Sequence, residues 1–253
     1  MITPLPIPEP EPELPGAVLV TLPLESFLAD FIPAWRVESR EELVGAGRRV
    51  AGEMNENRGI DQLAFYRSFR HGPGWGIHIK RHGILGLAHH IVSTSSKSTP
   101  VQRSIKAAYK ILYQHELFHF QVDCAFHKLE TAGRPSIDES RLVGNDSLYL
   151  QSRGSSDWYD PLEEALANAR AIRDTKTEYR SSVASFMKKS PPGYRDFGQF
   201  SSKQAFFNGL DSLFNLTESG LGRAATYRGI GTLVDLQDEI LNDNHVPVYL
   251  ILD

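Results

Sequence analysis

The clearest pattern along the chain is a helical stripe within residues 99–130. Apolar side chains and two histidines advance there by three or four positions, as one face of an α-helix does: Ile105, Ala108, Leu112, His115, His119, Val122 and Phe126. Thr99 is a good N-cap and Pro100 suits the first helical position. No proline or glycine interrupts the segment before a Gly-Arg-Pro sequence at 133–135. We therefore predict one long helix that ends at this sequence.

A second long helical pattern starts at Asp160 and runs to about Lys188, just before a Pro-Pro-Gly sequence at 191–193. Asp160 can cap this helix, Pro161 suits its first position, and Glu163 can fold its carboxylate back onto the cap amide. Shorter helices are predicted over residues 25–32, 39–57, 201–217 and 231–243.

Residues 62–92 have a different pattern, which predicts a small and mostly antiparallel sheet. The segment at 63–70 precedes a turn-rich His-Gly-Pro-Gly sequence, and residues 76–80 alternate with a period of two. A turn is predicted at 81–83, and residues 84–92 are apolar and β-prone. Short strands are also predicted at residues 17–20 and 245–252.

The distribution of prolines separates a short lead-in from the rest of the chain. Six prolines stand among acidic residues in 1–16, which predicts an extended, poorly ordered segment. Residues 17–253 are predicted to form a single α+β domain, with the sheet and first long helix in 17–132 and a mostly helical part in 133–253. Residues 133–160 are rich in Gly, Ser, Asp and Asn, and a connection of this length is usually functional or mobile.

The composition is that of a soluble globular protein, with 41% hydrophobic and 23% charged residues among 253. The formal net charge of −4 argues against a nucleic-acid-binding protein, because such proteins are usually basic. The sequence shows no apolar run of membrane-spanning length and no export signal at its start. A single cysteine, Cys124, cannot form an internal disulfide, which favours a reducing compartment. We therefore expect a cytoplasmic protein that binds neither nucleic acid nor membrane.

The candidate chemistry lies in the first long helix, in the sequence His-Glu-Leu-Phe-His at 115–119. Residues four apart lie one turn apart on the same helical face, so His115 and His119 can direct two imidazoles at one metal ion. Glu116 then lies beside a water molecule on that ion. This arrangement is typical of a zinc site that activates water.

A catalytic zinc usually has a third protein ligand, and the second long helix offers Glu163 and Glu164. His127 lies eight residues after His119, too far along a straight helix to reach the same ion. Because Glu163 has a capping role, we assign Glu164 as the third ligand and keep Glu163 as the alternative. Asn168, one turn after Glu164, is predicted to accept a hydrogen bond from a metal-bound imidazole and so to orient it.

With these residues the chain resembles the gluzincins, the thermolysin-like zinc metallopeptidases. Their pattern is H-E-x-x-H on one helix and E-x-x-x-D on the next. Residues 115–119 and 164–168 match it, except that Asn168 stands in place of the aspartate. The chain also resembles, more weakly, the small ImmA/IrrE-type peptidases. The resemblance implies a zincin-like fold: a small sheet whose edge strand lies over the cleft, then the active-site helix, then a helical half that carries the glutamate.

The resemblance also implies roles for individual residues. One zinc ion is held by His115, His119 and Glu164, and Glu116 is the general base of peptide hydrolysis. The family often stabilises the oxyanion with a tyrosine or histidine from the C-terminal half, and Tyr159 is the candidate nearest in sequence. Three further tyrosines stay open as alternatives: Tyr149, Tyr179 and Tyr194.

The favoured hypothesis is a zinc endopeptidase that cleaves a specific protein or peptide substrate, whose extended chain pairs with the strand at 76–80. Two alternatives stay open. One is a regulatory or sensor module that binds metal without hydrolysis, and the other is a toxin or effector peptidase delivered without an export signal. Outside the site, Asp123 is predicted to be a surface or salt-bridge residue, and Cys124 a small buried one.

Overall fold

The computed structural model describes residues 17–20, 40–53, 59–71, 73–95, 99–133, 161–221 and 246–252. This part of the chain has a mixed α+β structure, mainly helical around one small sheet, as the sequence predicted. None of its helices is both long and apolar enough to cross a lipid bilayer. Several predictions lie outside the described residues: the lead-in at 1–16, the helices at 25–32 and 231–243, and the connection at 134–160.

The sheet has four described strands, in the order β1, β4, β3, β2. They are Ala17–Val20 (β1), Ala64–Arg67 (β2), Gly76–Lys80 (β3) and Val248–Ile251 (β4). Strand β3 is antiparallel to β2 and parallel to β4, and β4 is antiparallel to β1. The positions of these strands and the mostly antiparallel character of the sheet confirm the prediction.

Strand β3 lies inside the sheet, so the prediction that it pairs with an extended peptide is wrong. Both of its edges are already bonded: Ile77 is aligned with Tyr66 of β2 on one side and with Val248 of β4 on the other. On its outer side β2 pairs with no other described strand. The strand edge that a peptide could reach on this side is therefore β2.

Residues 81–94 form a helix, which corrects the predicted turn at 81–83 and strand at 84–92. This helix, α2 (Arg81–Thr94), packs between α1 (Arg40–Glu53) and the longest helix. Within the described residues, α1 confirms the helix predicted at 39–57. The helical spacing of α2 is visible in four completely buried residues on one face: Ile84, Leu87, Ala88 and Ile91.

The glycines of α2 are positions of close packing rather than turn positions. A β-carbon at Gly83 would lie 2.8 Å from Leu63, in the segment that leads into β2. A β-carbon at Gly86 would lie 2.3 Å from the side chain of Val50 in α1. Glycine at these two positions lets α2 approach both neighbours closely.

The longest helix, α3 (Val101–Gly133), confirms the first long helix predicted from the sequence. The carbonyl of Pro100 accepts hydrogen bonds from the amides of Arg103 and Ser104, so the helix starts next to this proline. Cys124 is buried in it, as predicted. The helix contacts α2, strands β2 and β3, and the helix that follows it. Its buried face therefore meets both the sheet and the C-terminal helices.

The second long helix is interrupted, so the prediction that it continues to about residue 188 is wrong. The chain forms α4 (Pro161–Arg173) and α5 (Thr177–Met187), separated by a short turn. In this turn the hydroxyl of Thr175 donates a hydrogen bond to the carbonyl of Ala171 (2.7 Å). The guanidinium of Arg180 donates to two more carbonyls at the end of α4. These side chains satisfy carbonyls that a continuing helix would have bonded.

A 3₁₀ segment (Tyr194–Phe200) and α6 (Lys203–Leu221) pack against α4 and against each other. Helix α6 confirms the helix predicted at 201–217. Helix α4 thus lies between α3 and these later segments. Glu163 and Glu164 in its first turn are buried.

Candidate metal centre

The two histidines of the His-Glu-Leu-Phe-His sequence project from one face of α3 into the interior. His115 is completely buried and His119 is nearly so. Their Nε2 atoms are 3.2 Å apart, and their ring planes are inclined at 72°. Two imidazole nitrogens this close together can bind one cation.

Glu164, from the first turn of α4, completes a triangle of donor atoms with the two imidazoles. Its Oε2 lies 3.3 Å from Nε2 of His115 and 3.4 Å from Nε2 of His119. Within the described residues, this oxygen forms no hydrogen bond of normal geometry. A tetrahedral zinc ion with bonds of about 2.0–2.1 Å has ligand atoms about 3.3–3.4 Å apart. The triangle therefore fits such an ion.

Glu163 lies behind the triangle and orients His119. Its Oε1 accepts a hydrogen bond from Nδ1 of His119 at 2.6 Å. A carboxylate on Nδ1 keeps the proton on that nitrogen and leaves the Nε2 lone pair facing the triangle. Glu163 contacts the opposite nitrogen from Glu164, so it is placed to orient the ligand rather than to be one.

Asn168 does not bond to an imidazole, which corrects that prediction. Its Nδ2 donates a hydrogen bond to the backbone carbonyl of Tyr194 (2.7 Å). Its Oδ1 has no hydrogen-bond partner among the described residues. The reason is its position: the first turn of α4 reaches the histidines directly, and Asn168 lies one turn further on. There it attaches the 3₁₀ segment to α4, while Glu163 takes the orienting position.

Glu116 is buried beside the triangle. Its Oε1 forms no hydrogen bond within the part of the chain that the structure describes. Burial raises the pKa of Glu116 to about 8, although the neighbouring imidazoles act in the opposite direction. A carboxylate with a raised pKa accepts a proton near neutral pH, which is what a general base requires.

The imidazoles and the carboxylates of the centre shift one another's pKa values. Burial would lower the pKa of His115, but the nearby carboxylates of Asp61 and Glu164 outweigh it and raise this pKa to about 9. Burial would raise the pKa of Glu164, but the charges of the two imidazoles lower it to about 2. A cation in the triangle would take over the charge that the imidazolium protons supply here.

Asp61 is a member of the centre that the sequence analysis did not identify. It lies in a 3₁₀ turn (Gly59–Gln62) shortly before β2. Its Oδ1 is 3.4 Å from Nε2 of His115. Ligand atoms of Asp61, His115, Glu116 and His119 all lie within 4.8 Å of one another. No spacing pattern connects Asp61 with the helix, because the packing of the turn against α3 creates the contact.

Glu164 and Asp61 are thus two candidates for the third ligand beside the imidazoles. The carboxylate of Glu164 is within 3.4 Å of both histidines and is 3% exposed. Asp61 approaches His115 and is 32% exposed. We therefore assign Glu164 to the triangle and place Asp61 on its solvent-facing side.

The tyrosines predicted as oxyanion donors have different positions. Tyr159 and Tyr149 lie outside the described residues, and Tyr179 belongs to the hydrophobic core. Tyr194 lies at the centre, where its hydroxyl donates a hydrogen bond to Oδ2 of Asp61 at 2.6 Å. Burial and the neighbouring carboxylates raise the pKa of Tyr194 far above its usual value, so this hydroxyl keeps its proton.

One turn after His119 on α3, Asp123 forms a buried ionic cluster. Its Oδ1 accepts a hydrogen bond from Nε of Arg70 (2.7 Å), and neither side chain is accessible to solvent beyond 1%. Its Oδ2 accepts hydrogen bonds from the hydroxyls of Ser68 and Tyr66. The salt bridge predicted for Asp123 is confirmed. The predicted surface position is wrong, because the side chain is buried. This Asp123 cluster joins β2 and the segment after it to α3.

No protein-family model, curated protein or solved structure matches the chain. Its function has to be inferred from the chemistry of the centre itself. Two imidazole nitrogens and a carboxylate oxygen converge at ligand distances, with a second buried carboxylate beside them. Such an arrangement can hold a divalent cation and accept a proton from a water molecule.

Proposed function

We propose that this chain is a zinc-dependent metallopeptidase that hydrolyses peptide bonds in a protein or peptide substrate. The observation that carries the proposal is the triangle of His115 Nε2, His119 Nε2 and Glu164 Oε2, with sides of 3.2, 3.3 and 3.4 Å. Glu116 adjoins the triangle in a position suited to a general base. Glu163 orients one of the imidazoles.

The donor set favours zinc over other common divalent cations. Two imidazoles and one carboxylate suit zinc, whereas calcium and magnesium prefer oxygen ligands alone. Three protein ligands also leave one position for water or substrate, as in catalytic zinc sites. In addition, buried acceptor atoms of Glu164 and Glu116 lack hydrogen bonds within the described residues. Such atoms usually have a partner in folded proteins, and a cation supplies one.

In the proposed mechanism, each residue of the centre has a defined task. Zinc, when bound, supplies a Lewis acid that lowers the pKa of a water molecule and polarises the substrate carbonyl. His115, His119 and Glu164 hold the ion. Glu163 keeps the proton of His119 on Nδ1 and so directs its Nε2 lone pair at the ion. The carboxylate of Glu116 accepts a proton from the attacking water molecule. It then delivers this proton to the leaving amine.

The order of the elements is consistent with a zincin-like arrangement, which we include in the proposal. Strands β1, β2 and β3 come before α3 with its two histidines, α4 with the glutamate follows, and β4 comes last. Strand β2 is the sheet edge, and Tyr66 from this strand bonds to Asp123 on α3. We therefore propose that an extended substrate lies along β2 rather than β3, through backbone hydrogen bonds.

Digestion of casein and of a peptide library, with and without a chelator, tests the proposal. We expect cleavage that stops on chelation and returns with added zinc. Glu116→Gln should keep zinc but lose about 10²- to 10⁴-fold in rate, the usual contribution of a general base. The matched control is Glu178→Gln, because Glu178 is exposed on α5. Full activity of Glu116→Gln, or cleavage that is insensitive to the chelator, would contradict the proposal.

A metal-binding regulatory module without hydrolysis is the second candidate. Asp61 favours it, because a carboxylate close to His115 could close the site with a fourth protein ligand. Closed four-ligand zinc sites are usually structural. In that case zinc raises the free energy of unfolding, while no peptide in the library is cleaved by any form of the protein.

A further inference from the structure

The carboxylate of Asp61 lies beside the imidazoles of the proposed zinc site. Its Oδ1 is 3.4 Å from Nε2 of His115, and ligand atoms of His119 and Glu116 are within 4.8 Å. This oxygen is buried and forms no hydrogen bond of normal geometry within the described residues. The fourth ligand of a tetrahedral zinc ion lies about 3.3–3.4 Å from each of the other three. Oδ1 of Asp61 already lies at this distance from Nε2 of His115.

Tyr194 and the turn that carries Asp61 together hold this side chain in place. The tyrosine hydroxyl donates a hydrogen bond to Oδ2 of Asp61 at 2.6 Å. The ring lies against Gly59, where a β-carbon would be 2.7 Å from it, and Gly59 has a φ of +58°. Glycine adopts this conformation without strain and leaves room for the ring. The side chain of Ile60 is completely buried. Its backbone carbonyl accepts a hydrogen bond from the amide of Leu63 (2.8 Å).

We propose that Asp61 is a self-inhibitory latch, which binds the metal ion at the fourth position and must leave before water and substrate can bind. The inference rests on the proposed function and adds a means of regulating the same site. The hydrogen bond from Tyr194 keeps the latch closed. Opening replaces the carboxylate oxygen with a water oxygen on the ion, with no change of oxidation state.

Asp61 is held less firmly than the residues of the triangle, which is why it suits a latch. Glu164 is 3% exposed, whereas Asp61 is 32% exposed. The three triangle residues project from long helices, but Asp61 stands on a four-residue turn. Because β2 begins three residues later at Ala64, a substrate lying along that strand edge would meet Asp61 and displace it.

Two variants test the latch through metal binding as well as hydrolysis. Asp61→Asn keeps the size of the side chain and can still accept the Tyr194 hydrogen bond, but a neutral amide is a poorer zinc ligand. Tyr194→Phe removes the hydroxyl and keeps the ring against Gly59. Zinc affinity is measured by competition with a chromophoric chelator, and the absorption spectrum of the cobalt(II)-substituted protein reports the ligand set. Circular dichroism of the metal-free variants controls for folding.

We expect Asp61→Asn to bind zinc about 10- to 100-fold more weakly, which is the range seen when a supporting group of a metal site is lost. Its cobalt(II) spectrum should change as water replaces the carboxylate, and Tyr194→Phe should shift the spectrum in the same direction. Hydrolysis of peptides at saturating zinc should increase in Asp61→Asn. If Asp61→Asn does not fold, the spectrum of Tyr194→Phe decides, and an unchanged spectrum would overturn the latch.

An unchanged zinc affinity and cobalt(II) spectrum in folded Asp61→Asn would overturn the proposal. Hydrolysis that falls or stays the same in this variant, when the wild type is active, would also overturn it, because Asp61 would then not block the site. A third outcome separates the latch from the peptidase function. If the metal readouts change as expected but no form cleaves any peptide, Asp61 is a fourth ligand of a closed site, and the proposed function is the part that fails.

Discussion

Two buried polar regions lie one helical turn apart on α3, and they differ in how their polar atoms are satisfied. In the Asp123 cluster both carboxylate oxygens have partners, with Oδ1 bonded to Arg70 and Oδ2 to two hydroxyls. In the candidate metal centre, Oε2 of Glu164 and Oε1 of Glu116 form no hydrogen bond within the described residues. Both regions lie on α3, and most of their polar side chains are buried.

The difference separates a structural role from a functional one. Buried polar groups are almost always hydrogen-bonded, and a fully satisfied network makes the fold more rigid and specific. A polar network whose acceptor atoms lack hydrogen bonds, and lie as far apart as the ligands of one ion, can use these atoms to bind an ion. The comparison therefore predicts that substitutions in the Asp123 cluster change stability, and that substitutions in the triangle change metal binding.

The largest effect is expected from Asp123→Ala, which would leave Arg70 buried without its carboxylate. Breaking a buried ion pair in this way costs about 3–5 kcal/mol in the free energy of unfolding. Zinc affinity should stay close to that of the wild type. Urea denaturation and chelator competition measure the two quantities. Asp211→Ala is the matched control, because Asp211 is exposed on α6. An unchanged unfolding free energy in Asp123→Ala would show that the Asp123 cluster does not stabilise the fold.

Glu164→Ala should have the opposite profile. Zinc affinity should fall more than about 100-fold, beyond the usual effect of losing a supporting group. Zinc at 100 times its dissociation constant for the wild type should raise the unfolding free energy of the wild type by about 2.7 kcal/mol, and that of the variant by less than about 0.4 kcal/mol. Calorimetric titration and thermal unfolding check both results. Zinc binding of wild-type strength in Glu164→Ala, equal to that of Glu178→Ala, would remove Glu164 from the site.

His78 belongs to neither region and gives a pH-dependent signal that sharpens the comparison. Its ring lies between those of Phe65 and Tyr249, at centroid distances of 4.7 and 4.6 Å. Burial lowers the pKa of His78 from its ordinary value of 6.5 to about 4. Because the folded pKa is the lower one, protonation favours the unfolded state. The stability contribution is therefore fully present above pH 6.5 and is lost as the pH falls toward 4.

Between about pH 7.5 and pH 4.5 this shift removes about 2.5 kcal/mol of unfolding free energy. His78→Phe keeps an aromatic ring in the stack and has no titrating group, so its stability should fall by that much less over the same range. Both proteins are measured in chelator, so the metal centre titrates equally in both. Identical pH profiles of the two proteins would show that His78 does not titrate as a buried group.

The smallest of these effects is expected from Glu163→Gln. This substitution replaces the carboxylate that orients His119 with a neutral amide, which is a weaker hydrogen-bond acceptor. Loss of such an orienting partner typically costs about 10- to 100-fold in metal affinity. The variant should therefore bind zinc more weakly than the wild type but more tightly than Glu164→Ala. Chelator competition on all three proteins gives the ranking. The reverse ranking would make Glu163 the third ligand, the alternative that the sequence left open.

The local parts of the centre could be predicted because helical spacing is a local property. His115, Glu116 and His119 share one helix, and Glu164 follows from the predicted start of another. Asp61 could not be found in this way, because its contact depends on how a turn before β2 packs against α3. Asn168 was assigned from its place one turn after Glu164, but that turn faces the 3₁₀ segment in the folded chain.

The main error in the fold has a similar physical cause. Residues 82–88 of α2 are all buried, so the exposed polar positions that normally reveal a helical period are missing. The turn between α4 and α5 depends on side chains that bond to carbonyls, Thr175 among them, which hydrophobic periodicity does not show. Long helix α3 and strand β3 were predictable because the sequence of each follows a single period.

An anomalous-diffraction map of zinc-loaded crystals, recorded at the zinc absorption edge, tests the central claim most directly. The account predicts a peak about 2.0–2.2 Å from Nε2 of His115, Nε2 of His119 and Oε2 of Glu164. A map without a peak at this triangle, or with zinc bound elsewhere and the Glu164 carboxylate turned away from both imidazoles, would contradict it.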